Sequence, residues 1–268
     1  MRFLLASVLL FTCSALYAVE LTGEAVQGGL LFGQAEPGSR VSLDDAEIAI
    51  SPTGQFVFGF GRDETGVRQL RVTSPDGEVF KASYEVRKSQ YDIERVDGLP
   101  PSTVTPDPEA TARIREEARM VATARRHRDD RAYYESGFNW PAKGRISGVY
   151  GSQRILNGKP RNPHFGLDIA APEGTSVFAP ADGLVTLTHP GMLLSGGTII
   201  LDHGQGLSST FLHLSAVLVE AGAFVKQGDL IARIGATGRA SGPHLDWRMN
   251  WLDRRVNPQL LMSPMETN

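Results

Sequence analysis

Between residues 184 and 249 the chain offers one strand-like segment after another, with no helical period of any length. Leu184–Leu187, Thr198–Leu201, Thr210–His213, Leu230–Ile234 and Leu245–Met249 are rich in aliphatic and β-branched residues, and glycine stands in every stretch between them. Glycine is the weakest ordinary helix former, and these apolar positions do not recur at 3.6 residues, so a helix bundle is excluded. The expectation is an all-β domain over 138–268.

The first half repeats the theme in shorter units. Val41 and Leu43 alternate with polar residues, as do Ile48 and Ile50; Phe56, Phe58 and Phe60 then share one strand face, and Leu70 and Val72 begin another strand. Asp76-Gly77 predicts a two-residue hairpin with positive φ at both positions, followed by alternation at Phe80, Ala82, Tyr84 and Val86. Roughly six or seven short strands over 19–98 predict a small antiparallel β-sandwich. No histidine falls in it, so it reads as a spacer, positioning or binding unit. The whole chain is therefore expected to be mainly β, with 29 glycines and 16 prolines to supply its turns.

Residues 1–18 have the makings of an export signal. Arg2 gives a positive start, 3–11 an apolar run too short to span a bilayer, and Ala15 and Ala18 small residues for cleavage. An exported, periplasmic protein is expected. Cys13, the one cysteine, lies inside this segment, which excludes a disulfide framework and a cysteine-held zinc site. Lipid anchoring through Cys13 is the weaker alternative, because Phe11 and Thr12 stand where a small residue is wanted.

Residues 99–137 are expected to be a linker and a helix. Pro100, Pro101 and Pro106 mark the linker. Asp107 offers a cap, Pro108 suits the first helical turn, and the helix is predicted to run to about Tyr134. Seven arginines against four acids between Arg113 and Arg131 make it basic. A solvated, salt-bridged face explains that; the sharper alternative is contact with an anionic polymer, a membrane surface or a regulatory partner. The net charge of −3 argues against nucleic-acid binding, and no later apolar run is long enough for a transmembrane helix.

Chemistry gathers in the second half, with five of the six histidines. His244 and Asp246, two apart on a strand, emerge from the same face. His164 and Asp168 form a second pair on a segment that Gly166 keeps from being helical, and His213 lies between the pairs. A catalytic zinc site needs three protein ligands and an open position. His164, Asp168 and Asp246 could supply the ligands, leaving His213 and His244 to handle protons nearby. Of the other histidines, His127 is expected to be solvated, His189 to lie in a loop, and His203 to bond the turn after its strand.

The surroundings of these residues resemble a family. Pro163-His164-Phe165-Gly166-Leu167-Asp168, Gly174-Thr175-Ser176-Val177, Asp202-His203-Gly204, Phe211-Leu212-His213-Leu214 and Gly242-Pro243-His244 follow the order of motifs in lysostaphin-type (LytM-like) zinc peptidoglycan endopeptidases. The resemblance covers about 140–258; the preceding β unit and linker resemble exported Gram-negative members more loosely. It implies one Zn²⁺ per chain, held by His164, Asp168 and the residue at 246, with His213 and His244 catalytic and peptidoglycan cross-links as substrate. The departure is Asp246, where the family carries histidine. An aspartate oxygen is as many bonds from Cβ as an imidazole Nδ1 and is an accepted zinc ligand, but two carboxylates neutralise a divalent ion. Relatives that have lost ligands bind wall or activate other hydrolases, which is the alternative expectation. A lipoyl-type carrier reading fails on its lysine, since Lys226 stands just before a turn glycine.

Overall fold

The computed structural model describes residues 19–96, 108–156 and 158–265; the expected export segment with Cys13 and the proline-rich linker lie outside them. The described chain is mostly β, as expected, with one α-helix.

Seven strands come first: β1 (Glu20–Gly23), β2 (Leu30–Gln34), β3 (Arg40–Leu43), β4 (Ala46–Ile48), β5 (Gln55–Gly59), β6 (Val67–Thr73) and β7 (Val79–Glu85). They form two antiparallel sheets, ordered β1-β2-β5 and β4-β3-β6-β7. Phe56, Phe58 and Phe60 are fully buried, and Phe58 packs on Tyr84 of β7 with centroids 6.0 Å apart. Each such ring contributes roughly 1.5–3 kcal/mol by leaving water. Gly33 faces Phe56 across β2 and β5, where an added Cβ would come within 2.0 Å of the ring.

The hairpin chemistry differs from expectation. Only Gly77 has positive φ at the β6–β7 turn; Gly77 N donates to Ser74 O and Ser74 N to Glu78 O, so three residues turn the chain. Pro75 fixes a negative φ at the first of them, which selects a type I turn with glycine last. The two-residue turn with both φ positive sits instead at Asp44 (49°) and Asp45 (66°), between β3 and β4.

Strand β8 (Ile93–Val96) leaves the sandwich and pairs parallel with β10 (Gln153–Leu156). Helix α1 spans Pro108–Ala124, ten residues shorter than the sequence suggested. Beyond it the side chains bind locally instead of continuing the helix: Arg128 donates to the carbonyls of Arg125 and His127, and Asp129 accepts from Arg131 N. Asp129 is a short polar side chain of the kind that competes with helical backbone, while Arg128 satisfies carbonyls left open past the helix end.

The remaining strands are β9 (Arg145–Gly148), then β10, β11 (Lys159–Pro160), β12 (Leu167–Ala170), β13 (Ser176–Phe178), β14 (Gly183–Met192), β15 (Gly196–Asp202), β16 (Leu207–Val217), β17 (Phe224–Val225), β18 (Leu230–Ile234), β19 (His244–Trp251) and β20 (Arg254–Val256). Most join a ten-stranded sheet whose spine runs β17-β14-β15-β16-β19-β12-β9. Alternation divides β19 cleanly. Leu245, Trp247, Met249 and Trp251 enter the core, which leaves His244, Asp246, Arg248 and Asn250 for the opposite face.

The two β regions share one continuous core from Leu30 to Val256. Phe32 packs on Tyr134 at 5.2 Å, Arg62 gives two hydrogen bonds to Gly151 O, and Gln205 Nε2 donates to Gln55 O. The N-terminal sandwich is thus a docked unit.

Candidate metal centre

Register brings the two carboxylates together. Asp168 on β12 stands directly opposite Asp246 on β19, and Ala170 opposite His244, so the polar face of one strand pair carries all three chemical groups. His164 arrives from the segment before β12, held by His164 N to Ser152 O (2.8 Å) and Gly151 N to His164 O (2.7 Å). Its Nε2 lies 3.2 Å from Asp168 Oδ1. Both atoms are buried, and neither has a hydrogen-bond partner. Two buried polar atoms that meet only each other, at ion-pair distance and without a well-aligned hydrogen bond, stay under-satisfied unless something else binds both.

The geometry suits a divalent ion. His164, Asp168 and Asp246 each offer an atom within 4.8 Å of the others, and a mixed nitrogen and oxygen set is what zinc accepts. Two glycines make the room: a Cβ on Gly148 would lie 2.2 Å from Asp168 Oδ2, and one on Gly166 would lie 2.1 Å from Asp246 Oδ1. Burial disfavours a protonated His164, but its contact with Asp168 and the charge of Asp246 outweigh that and raise its pKa. The pocket favours cations.

Arg248, which the sequence reading passed over, complicates the third position. It lies two residues beyond Asp246, on the same strand face, so the rule that paired His244 with Asp246 also predicts it. Its Nε lies 3.0 Å from each carboxylate oxygen and its Nη2 2.5 Å from Oδ2. Burial would raise the Asp246 pKa; the guanidinium outweighs it and holds the carboxyl below the ordinary value. Oδ1 takes only the Nε contact and keeps a lone pair. The donor set therefore fits a metal, with Arg248 as a standing competitor for one ligand.

His213 reaches the cleft by a break in the alternation. Phe211 of β16 faces the core, so His213 two residues on would face it too. The pairing with β15 slips between Gly197 and Ile199, and His213 takes φ +64°, which turns its ring to the polar side. Nδ1 donates to Thr237 O at 2.8 Å, which leaves Nε2 unprotonated, and burial pulls the pKa below its ordinary value. His244 likewise donates from Nδ1 to Gly242 O at 2.8 Å, and its Nε2 stands 3.9 Å from Asp168 Oδ1. The two rings are 4.8 Å apart. All five residues line one cleft of about 880 Å³, together with Arg145, Arg239 and Arg248.

The other histidines stay outside. His203 is fully buried, donating from Nδ1 to Asp182 O and meeting Ser209 Oγ through Nε2. Two expectations are corrected: the His203 ring bonds Asp182 and Ser209 and not the turn after its strand, and His189 lies in β14, where its Nδ1 accepts from Gly191 N. His127 is exposed, as expected, and also pairs with Asp202 at 2.5 Å. Lys226 forms an ion pair with Asp182.

Residues 162–258 match peptidase family M23. A crystal structure described as a peptidase M23 from Pseudomonas aeruginosa superposes with a TM-score of 0.68 at 27% identity, covering 90% of this chain and 96% of that one. The peptidoglycan DD-endopeptidase ShyA of Vibrio cholerae is 34% identical over 158 residues, 54% of this chain and 36% of that protein. ShyB of the same organism is 36% identical over 132 residues, 48% of this chain and 28% of that protein. The matched segments span about a third of these curated relatives' length. Residues 162–258, a little over a third of the chain, therefore form a peptidase M23 (LytM-type) domain.

Proposed function

We propose that this protein is an exported, metal-dependent endopeptidase that hydrolyses peptide cross-links of bacterial peptidoglycan. The observation that carries the reading is the buried pair His164 Nε2 and Asp168 Oδ1, without hydrogen-bond partners and facing Asp246 in the cleft that also holds His213 and His244. The ShyA and ShyB similarities supply the substrate class, and the apolar segment at 3–11 supports export to the periplasm. His164, Asp168 and Asp246 would hold zinc, which when bound polarises a carbonyl and activates water.

The chain's own groups would do the rest. His213 is neutral near pH 7 with Nε2 free, so it accepts a proton during attack. His244, its Nδ1–H committed to Gly242 O, faces the scissile bond with Nε2 and shuttles a proton or, once protonated, stabilises the developing oxyanion. Arg145 and Arg239 line the same cleft and show no carboxylate partner among the described residues. They favour a substrate that carries carboxylates, as cell-wall stem peptides do.

A second reading is a metal-free wall-binding or hydrolase-activating protein, favoured by the Arg248 grip on Asp246. Metal analysis together with muropeptide release from purified sacculi separates the two. One zinc per chain, with release abolished by His164→Ala, supports the enzyme. A metal-free protein that binds sacculi without releasing fragments supports the alternative.

A further inference from the structure

Helix α1 is joined to the cleft by hydrogen bonds at both ends of the hairpin-tip backbone 193–195, the last of them to His213. The connection begins at Glu117, a carboxylate only 9% exposed. Such a group persists only where its charge is satisfied. Both of its oxygens accept from Leu193 N, at 3.0 and 2.9 Å, and Oε1 also accepts from Arg113 Nε at 2.8 Å. Arg113 Nη2 in turn donates to Gly191 O at 2.8 Å. The helix therefore grips the tip of the β14–β15 hairpin on both sides of Met192. Met192 itself is buried in a small cluster with Ala124, Leu187 and Ile200, against which Met120 and Val121 of the helix pack.

From the tip the connection runs inward. Leu194 O accepts from Arg239 N at 2.9 Å, and Ser195 O accepts from His213 N at 2.8 Å. Both Leu194 and Ser195 line the cleft. Thr237 closes the other side: its Oγ1 accepts from Gly197 N, and its carbonyl holds His213 Nδ1. There is no slack between these segments, since a Cβ on Gly196 would lie 2.1 Å from Thr237 Oγ1 and one on Gly238 2.4 Å from Gly196 N.

His213 is the residue with most to lose. A non-glycine residue at φ +64° is strained by about 1–2 kcal/mol and holds that conformation only where its partners over-determine it. Its two anchors are Ser195 O on the backbone and Thr237 O on the ring, and the first is set by the hairpin tip. The apolar cluster under α1 is separate from the main core, so the fold does not rest on this grip.

We propose that Glu117 is a positioning residue, through which α1 fixes the hairpin tip and thereby His213. The effect on turnover rests on the endopeptidase reading; the mechanical coupling does not.

The test uses the full chain with Glu117→Ala, Glu117→Gln, Arg113→Ala and, as a control on the exposed face, Glu116→Ala. Glu117→Ala is expected to lower kcat about tenfold with KM and bound zinc unchanged, and to accelerate amide exchange at Leu193 and His213. Glu117→Gln keeps an acceptor for Leu193 N and is expected to recover most of the loss. Arg113 is half exposed, so Arg113→Ala folds whatever Glu117→Ala does, and is expected to give a smaller change of the same kind. Faster exchange at Leu193, with His213 protection and kcat as in the parent, overturns the proposal. If the parent shows no turnover, the enzyme reading fails by itself, and His213 exchange in the variants still decides the coupling.

Discussion

Arg248 holds Asp246 through three N–H···O contacts of 2.5 to 3.0 Å, on a carboxylate that is 2% exposed. A buried ion pair is roughly neutral for stability when intact, yet removing one partner costs about 3–5 kcal/mol because the other is left uncompensated. A metal ion at His164, Asp168 and Asp246 would be an alternative cation for the same carboxylate. Arg248→Met is therefore expected to lower the melting temperature of the metal-free protein by several degrees and to enlarge the rise that added zinc produces. Equal zinc-induced shifts in parent and variant would show that metal and guanidinium do not share Asp246.

How far the sequence reached can be judged from particular residues. The strands and the pairing of His244 with Asp246 follow from alternation alone, which is local and robust. Alternation fails for His213, because a bulge and a positive φ invert its side, and neither leaves a mark in a one-dimensional pattern. The end of α1 at Ala124 was also hidden, since the arginines beyond it are good helix formers and only their folded contacts draw the chain away. Glu117 is one of four acids on a stretch that composition alone reads as solvated; the backbone amide that claims it lies 76 residues away.

Arg145 and Arg239 belong to the cleft but to no ion pair among the described residues. A charge-assisted contact to a substrate carboxylate at an exposed site contributes about 1 kcal/mol, or roughly fivefold in binding. Arg145→Gln and Arg239→Gln are each expected to raise KM by about that factor with kcat little changed. Cross-linked stems with amidated carboxylates should show the same rise with the parent protein and no further rise with the variants. A fall in kcat at constant KM would place these arginines in the chemistry and not in recognition.

Gly166 does not need positive φ, so its role is one of space. A methyl group there would meet Asp246 Oδ1 at 2.1 Å, Arg248 Cγ at 2.8 Å and Trp247 O at 3.1 Å. Overpacking of this kind costs about 1–3 kcal/mol. Because the nearest clash is with a proposed ligand atom, Gly166→Ala is expected to lose zinc before it loses its fold. Zinc titration followed by calorimetry, beside a far-ultraviolet spectrum, checks both halves. Undiminished zinc affinity in a folded variant would mean that Asp246 Oδ1 is not a ligand.

His203 sets a pH limit on stability. Burial drives its pKa below the ordinary value, with only neutral partners, Asp182 O and Ser209 Oγ, in hydrogen-bond contact. Above about pH 6.5 the ring is neutral in folded and unfolded chains alike. Below it the unfolded chain takes up a proton that the folded ring resists, so the unfolded state binds more protons and stability falls with pH. The limiting slope for one such group is about 1.4 kcal/mol per pH unit. His203→Asn keeps an N–H donor for Asp182 O but has nothing to titrate. It is expected to be less stable than the parent at pH 7.5 and to narrow that gap at pH 5.5, measured by urea unfolding at the two values. A gap of constant size would assign the acid sensitivity to groups other than His203.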